Sequence, residues 1–380
     1  MAEWEQATIG DLCDSISDTY HGSDELVVLV NTSDVLEGKV LNHEPVENKN
    51  LKGQFKKTFQ KNDILYSEIR PANKRFAFVD FEDTDRYIAS TKFMVLRPRI
   101  DRVIPKFLFA ILKSQYMLDE LQLLAETRSG TFPQITFGSE LAPMPVMLPD
   151  IATQARIVSL LDTIEEKIDG NVQINDNLEQ QAQALFRNQF LSQETLPDGW
   201  TKATLGEVSL MGAGGDKPKT VSATQTENCP YPIYSNGISD EGLYGFTDEY
   251  KIKDESITVS ARGTIGFVCL RHIPYTPIVR LVTLIPNTDV LSAKYLYLWL
   301  KNSPIHGTGT TQQQLTVPDF RKTEIILPTK EEMASFTDTV TPLFETIWAN
   351  QVENTKLSNM RDVLLPKLMS GELNVSDLDL

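Results

Sequence analysis

The sequence predicts an α+β protein: two domains with mixed sheets, separated by a long antiparallel helical coiled coil, the halves related by a pseudo-twofold internal repeat. Three observations carry this expectation. The first half of the chain recurs in the second. One part of each half is a length-locked helical stretch with a single apolar stripe. The other part alternates short apolar runs with turn residues.

The repeat shows in paired motifs. Trp4-Glu5-Gln6-Ala7-Thr8-Ile9-Gly10-Asp11-Leu12 matches Trp200-Thr201-Lys202-Ala203-Thr204-Leu205-Gly206-Glu207-Val208, an offset of 196. Tyr66 to Arg70 aligns with Thr258 to Arg262 at 192, which makes Arg262 the counterpart of Arg70. Phe107-Leu108 followed by Lys113 aligns with Tyr295-Leu296 followed by Lys301 at 188, and Leu148-Pro149 with Leu327-Pro328 at 179. From there the offset stays at 179: Ile157, Leu161, Ile164, Ile168, Asn171, Asn175, Leu178, Leu185, Phe186 and Phe190 match Phe336, Val340, Leu343, Ile347, Asn350, Asn354, Leu357, Leu364, Leu365 and Met369. A drifting offset means loops of different length; a locked one means a regular element without insertions. The chain therefore divides into 1–149, 150–195, 196–328 and 329–380.

The locked parts are helical. Ile157, Leu160, Leu161, Ile164, Ile168, Val172, Leu178, Ala182, Leu185 and Phe186 recur mostly at steps of three and four, one face of a helix. A helix over 150–193 would be roughly 60 Å long at ~1.5 Å per residue. Gly170 interrupts it at a cost of about 1 kcal/mol relative to alanine, which suggests a bend. So long a stripe needs a partner, and 329–371 carries the same one. The aligned asparagines Asn171/Asn350 and Asn175/Asn354 are either a solvated face or polar residues setting register in an apolar seam.

The variable parts read as mixed domains. Val27–Val30, Ile64–Tyr66, Phe76–Val79 and Phe93–Leu96 are short strands, with a helix over 105–124 opened by Pro105. Ile257–Val259, Phe267–Leu270 and Ile278–Ile285 repeat them, with a helix at about 292–301.

Composition bounds the class. At 380 residues, 41% hydrophobic and 23% charged, the chain is that of an ordinary globular protein. It holds no 18-residue apolar run, and its start lacks the basic and apolar regions of a signal peptide. Three scattered cysteines, Cys13, Cys229 and Cys269, suit a reducing cytoplasm. The net charge of −16 argues for a protein partner over nucleic acid. It is unevenly spread: −6 in 1–150, −4 in 151–195, −1 in 196–328 and −5 in 329–380, with cations bunched at Lys52, Lys56, Lys57 and Lys61 and at Arg70, Lys74 and Arg75.

Catalytic patterns fail one by one. There is no Asn-Pro-Pro-Tyr run or glycine-rich cofactor turn. Gly212-Ala213-Gly214-Gly215-Asp216-Lys217-Pro218 lacks phosphate-loop spacing and reads as a flexible loop. Asp34 with Glu47-Asn48-Lys49 is a short, common echo of a nuclease pattern, without a counterpart in the second half. His21, His43, His272 and His306 show no ligand spacing. Neither metal site nor catalytic set is expected. Two similar domains on a spacer suit a target in two parts, such as DNA half-sites ~34 Å apart.

Leu196-Pro197-Asp198-Gly199-Trp200 with Leu205-Gly206-Glu207, Ile326-Leu327-Pro328, and Leu364-Leu365-Pro366-Lys367-Leu368-Met369-Ser370-Gly371-Glu372-Leu373 resemble the opening, junction and closing motifs of type I restriction–modification specificity subunits. The resemblance covers the whole chain. It departs at the helix starts, where many members carry Pro-x-x-Glu-Gln. Here the glutamine survives only in the first half (Gln154) and the glutamate only in the second (Glu331, Glu332). The resemblance implies two target recognition domains, each reading half of a split, asymmetric double-stranded DNA sequence. It implies two methyltransferase (modification) subunits and restriction/translocase subunits as partners. S-adenosylmethionine, ATP and magnesium belong to those partners, and this chain is non-catalytic. An acidic coiled-coil adaptor that binds only protein, or a subunit of a methylation-only complex, is the alternative.

Base readout needs a few placed arginines, lysines and amides. The expected DNA-binding residues are Arg70, Lys74, Arg75, Lys92, Arg128 and Gln134 in the first domain and Arg262, Arg271, Gln312, Gln313 and Gln314 in the second.

Overall fold

The computed structural model describes residues 4–49, 51, 53–128, 132–193, 195–307, 314–369 and 371–373. It is α+β, and the chain forms two compact units, 1–170 with 353–380, and 171–352. The two long helices, Ile151–Phe186 and Lys330–Met369, are 36 and 40 residues long, and each contributes to both units.

In the first unit an antiparallel sheet has the order Cys13–Ile16, Phe93–Pro98, Ile64–Ser67, Phe76–Phe78. A second sheet is mixed: Leu26–Val30 lies parallel to Tyr87–Ser90, with antiparallel Pro45–Glu47 and Phe55–Lys57 at its edges. Trp4–Thr8 pairs with Pro145–Pro149 at the base. The second unit repeats the plan with Ser209–Ala213, Val282–Pro286, Ser256–Val259 and Val268–Arg271. Its mixed sheet is Leu243–Thr247, Tyr231–Tyr234 and Thr276–Pro277, and its base is Thr201–Thr204 with Glu324–Leu327.

Two elements differ from the sequence reading. The helix expected over 105–124 is two, Pro105–Leu112 and Gln115–Arg128. Ser114 divides them because its Oγ accepts from the Met117 N–H at 3.3 Å, starting a new helix. The single strand expected over Ile278–Ile285 breaks at Val279 and Arg280, which take left-handed φ values of 52° and 60°. The strand Ser209–Ala213 also reaches into the glycine-rich stretch read as a flexible loop. Gly214 beyond it is packed so closely that a Cβ would lie 2.7 Å from the Ile278 backbone.

Each unit has its own core, and helix segments supply one wall of it. In the first unit Ile157, Leu161 and Ile164 of the central helix and Leu365 and Leu368 of the distal helix join Leu12, Tyr66, Leu96 and Phe107. In the second, Ala182 and Phe186 join Phe336, Val340, Phe344 and Ile347 against Ile257, Leu284 and Tyr295. The segments run antiparallel there, since Asn175 meets Asn350 and Phe186 meets Phe336. Asn350 Nδ2 donates to Asn175 Oδ1 at 2.8 Å, so these asparagines face each other rather than water.

The recurring motifs have local physical reasons. Gly199 holds φ +83° in a turn closed by the Trp200 N–H on the Pro197 carbonyl at 3.1 Å. Trp200 Nε1 then donates to Glu332 Oε2 at 2.8 Å, and Glu332 and Thr329 cap the distal helix reciprocally. At the central helix, Gln154 is 1% exposed, accepts from the Ile104 N–H at 2.9 Å and donates to the Pro149 carbonyl at 2.9 Å. The glutamine kept in one half and the glutamate kept in the other thus each tie a helix start to its own domain.

Nothing lies within 4 Å of a Cβ placed on Gly170, and the residue sits inside a continuous helix. Gly170→Ala is expected to stabilise the protein by about 1 kcal/mol, read as a higher urea midpoint. An unchanged or lower midpoint would show that Gly170 needs a non-helical backbone.

Candidate nucleic-acid interface

The strand Ile64–Ser67 ends in a segment that gathers three of the expected residues. Glu68 N–H donates to the Lys92 carbonyl at 2.9 Å, Ile135 N–H to the Glu68 carbonyl at 2.9 Å, and Arg70 N–H to the Pro133 carbonyl at 3.2 Å. Ile69 bridges Gln134. These backbone bonds set Arg70, Lys92 and Gln134 along one edge, with Arg70 and Lys92 exposed. Arg70 has φ 45°, an uncommon conformation for a residue other than glycine, and it precedes the single 3-10 turn Pro71–Asn73.

The second unit builds the same edge. Leu315 N–H donates to the Ala261 carbonyl at 3.0 Å, and Arg262 NH2 donates to Gln314 Oε1 at 3.2 Å. Arg262 Nε is buried with no hydrogen-bond partner among the described residues. The hydrogen bonds also correct the repeat by one residue. Ser67 Oγ donates to the Ile69 carbonyl, and Ser260 Oγ to the Arg262 carbonyl, at 3.3 and 3.1 Å. Glu68 and Ala261 carry the carbonyls that receive the equivalent loop. Arg262 therefore stands where the first unit has Ile69, and Arg70 corresponds to Gly263, which shares its positive φ (69°). The equivalent serines Ser67 and Ser260 lie 193 residues apart, so matching Arg with Arg at 192 set the repeat off by one residue.

Other expected residues are committed elsewhere. Lys74 Nζ pairs with Glu37 at 3.0 Å and lines a cleft of about 730 Å³ with Phe76, Phe109 and Glu165. Arg75 donates to the carbonyls of Ser33 and Val35 at 3.3 and 3.1 Å. Arg128 pairs with Glu140, which also accepts from Thr136 N–H at 2.6 Å. Gln312 and Gln313 lie outside the described residues. In the bunch around Lys57, Lys61 pairs with Glu82. Lys57 itself donates to the Phe93 carbonyl at 2.6 Å, and burial lowers its pKa.

Arg271, also expected at the interface, is buried and bonded within the second unit. It is 3% exposed, and its Nε donates to Thr258 Oγ1 at 3.0 Å. NH1 pairs with Glu241 at 2.9 Å, and the guanidinium lies 3.6 Å from the centre of the Tyr234 ring. It ends Val268–Arg271, the edge strand of its four-stranded sheet, and the groups that enclose it come from Thr258, Glu241 and Tyr234, which no local pattern shows.

Burial pushes the thiols of Cys13 and Cys269 up to about 12, which keeps them protonated and poorly nucleophilic. Among the described residues, no group of three or more histidine, cysteine or acidic side chains is placed to hold a metal ion.

Comparison with known proteins places the chain among relatives over nearly its whole length. A family model described as the type I restriction modification DNA specificity domain matches residues 1–180 and 197–358. The type I restriction enzyme HindI specificity subunit of Haemophilus influenzae is 31% identical over 462 residues, covering 98% of this chain and 100% of that protein. The MjaIX specificity subunit of Methanocaldococcus jannaschii is 25% identical over 73% of this chain and 71% of its own length. In fold, the chain resembles a crystal structure of a type I restriction–modification system S subunit from M. genitalium. The TM-score is 0.54 at 18% identity, over 97% of this chain and 96% of that one.

Arg271→Ala is expected to destabilise the second unit by about 2 kcal/mol, through the lost hydrogen bonds and ring contact, read as a lower unfolding midpoint. Altered DNA selectivity at unchanged stability would assign Arg271 to the interface instead.

Proposed function

The chain belongs to the type I restriction–modification DNA specificity family, and from that premise we propose that it chooses the DNA site for a multisubunit complex without doing the chemistry itself. The observation that carries this reading is the edge built twice, once in each unit. A strand end there gathers an arginine and a glutamine from distant parts of the chain. Arginine pairs two-pronged with guanine and glutamine with adenine, so such an edge can read bases. The units differ in sequence at this edge, so the two halves of the target differ.

The two long helices serve as an antiparallel coiled coil that spaces the recognition domains, 1–149 and 196–328, and docks partner subunits. Their locked length and the Asn175–Asn350 contact support this, a paired asparagine in an apolar seam being a register device. Two methyltransferase subunits and restriction/translocase subunits complete the complex, and they bind S-adenosylmethionine, ATP and magnesium. The complex works in the cytoplasm, where three free, buried cysteines stay reduced. Among the described residues, no helix is long and apolar enough to cross a membrane.

The acidic charge of this chain fits a division of labour, in which the methyltransferase subunits neutralise most phosphates. Isolated, it is expected to bind its specific site more weakly than the complex at equal salt. Equal affinity would refute that division. Deleting the gene should remove one split methylation motif from the host methylome, and an unchanged methylome would overturn the reading. Arg70→Ala should weaken selection in one half of that motif, by roughly 5- to 150-fold in affinity, leaving the other half intact. Equal relaxation of both halves would contradict a one-domain, one-half arrangement.

A further inference from the structure

The recognition edge has a counterpart to Lys92 in the second unit that no sequence pattern marks. Strand Val282–Pro286 takes the place of Phe93–Pro98: Pro98 faces Cys13 as Pro286 faces Ser209. Met94 faces Tyr66 as Val282 faces Val259. This register sets Arg280 where the first unit has Lys92: Lys92 lies two residues before Met94, as Arg280 lies two before Val282. We propose that Arg280 contacts bases and helps determine specificity in the half-site read by the second domain, a role that rests on the chain being a DNA specificity subunit.

The backbone around Arg280 is built for presentation. Val279 and Arg280 both hold left-handed φ, which β-branched residues rarely adopt, yet Val279 is 50% exposed, so side-chain burial does not explain the strain. Two backbone bonds hold the turn instead: Val279 N–H to the Gly215 carbonyl at 2.9 Å and Arg280 N–H to the Gly214 carbonyl at 2.8 Å. Gly214 must be glycine for this approach, because a Cβ there would lie 2.7 Å from the Ile278 backbone.

Asn236 joins the turn to the Arg262 edge. Its Nδ2 donates to the Val279 carbonyl at 2.6 Å, and its Oδ1 accepts from the Ala261 N–H at 2.7 Å. Its own carbonyl accepts from Ser260 Oγ at 3.0 Å. One side chain thus fixes the spacing between the backbones that carry Arg262 and Arg280. Arg280 is exposed and forms no ion pair among the described residues, whereas Arg271 nearby in sequence is locked to Glu241. A free guanidinium on a rigid turn keeps its two-pronged donor face for a guanine edge.

The test uses the chain assembled with its methyltransferase partner, on duplexes carrying the motif defined by the host methylome and on duplexes altered in either half. Arg280→Ala should lower affinity for the intact motif roughly 5- to 150-fold and relax discrimination in one half only. Arg280→Lys should keep the salt dependence but not the full discrimination, because lysine lacks the planar fork. Thermal unfolding of both variants checks that they remain folded, as expected for an exposed side chain. Loss of affinity uniform across all duplexes, with a shallower salt slope, would mean a phosphate contact and overturn the specificity role. Unchanged affinity and discrimination in a folded Arg280→Ala would overturn the contact altogether. A wild-type complex without sequence preference would instead overturn the reading of the chain as a specificity subunit, and the proposal with it.

Discussion

In the second unit four aromatic rings meet where two helices reach the sheet. Phe190 lies 4.9 Å from Phe336 and 5.1 Å from Tyr295, and Phe186 lies 5.3 Å from Tyr295 and 5.9 Å from Phe336. Tyr295 reaches on to the Ile326 carbonyl at 2.6 Å, anchoring the base strands. Phe186 and Phe336 come from chain segments 150 residues apart, so this contact closes the unit. A long helix cannot bury its stripe against itself, and here each helix buries part of it in a domain that it also carries. The first unit solves the same problem with Phe107, Ile157 and Leu365. With that corner held, loops far from it can change length without loosening the core.

Polar residues add precision that apolar packing lacks. Gln154 and Glu332 tie helix starts to neighbouring strands and turns, and Asn175 with Asn350 pairs the helices residue on residue. Each is at least partly buried and bonded, so a slip in register would leave amides or a carboxylate unsatisfied. The strand-end edges use the same device. Asn236 brackets two turns, and Glu140 caps one turn while holding Arg128.

The acidic composition and a DNA-reading role are compatible once the cations are followed individually. Lys57, Lys61, Lys74, Arg75, Arg128 and Arg271 are occupied by carbonyls or carboxylates within the fold. The exposed residues at the strand-end edges, Arg70, Lys92 and Arg280, are few. Reading bases takes a few rigidly placed donors, while bulk affinity for a polyanion takes many, and the two tasks need not fall to one chain.

The sequence alone determined the class, the duplication and the helices, because hydrophobic periodicity and locked length are local properties that repeat in phase. Family membership was legible for the same reason: the motifs at the domain edges encode turns and caps, such as Gly199–Trp200 with Glu332, whose chemistry is short-range. What the tertiary structure decided was which side chains face outward. Arg271 has the composition of a reader and the position of a core residue, because a sheet neighbour, Glu241 and Tyr234 enclose it. Arg262 aligned with Arg70 by type, but the hydroxyls of Ser67 and Ser260, bonded to the carbonyls of Ile69 and Arg262, set it one residue away. Arg280 lay unnoticed in an apolar run that reads as strand. Its exposure comes from a left-handed turn held by Gly214, Gly215 and Asn236, contacts between residues 43 to 66 positions apart that no local pattern contains.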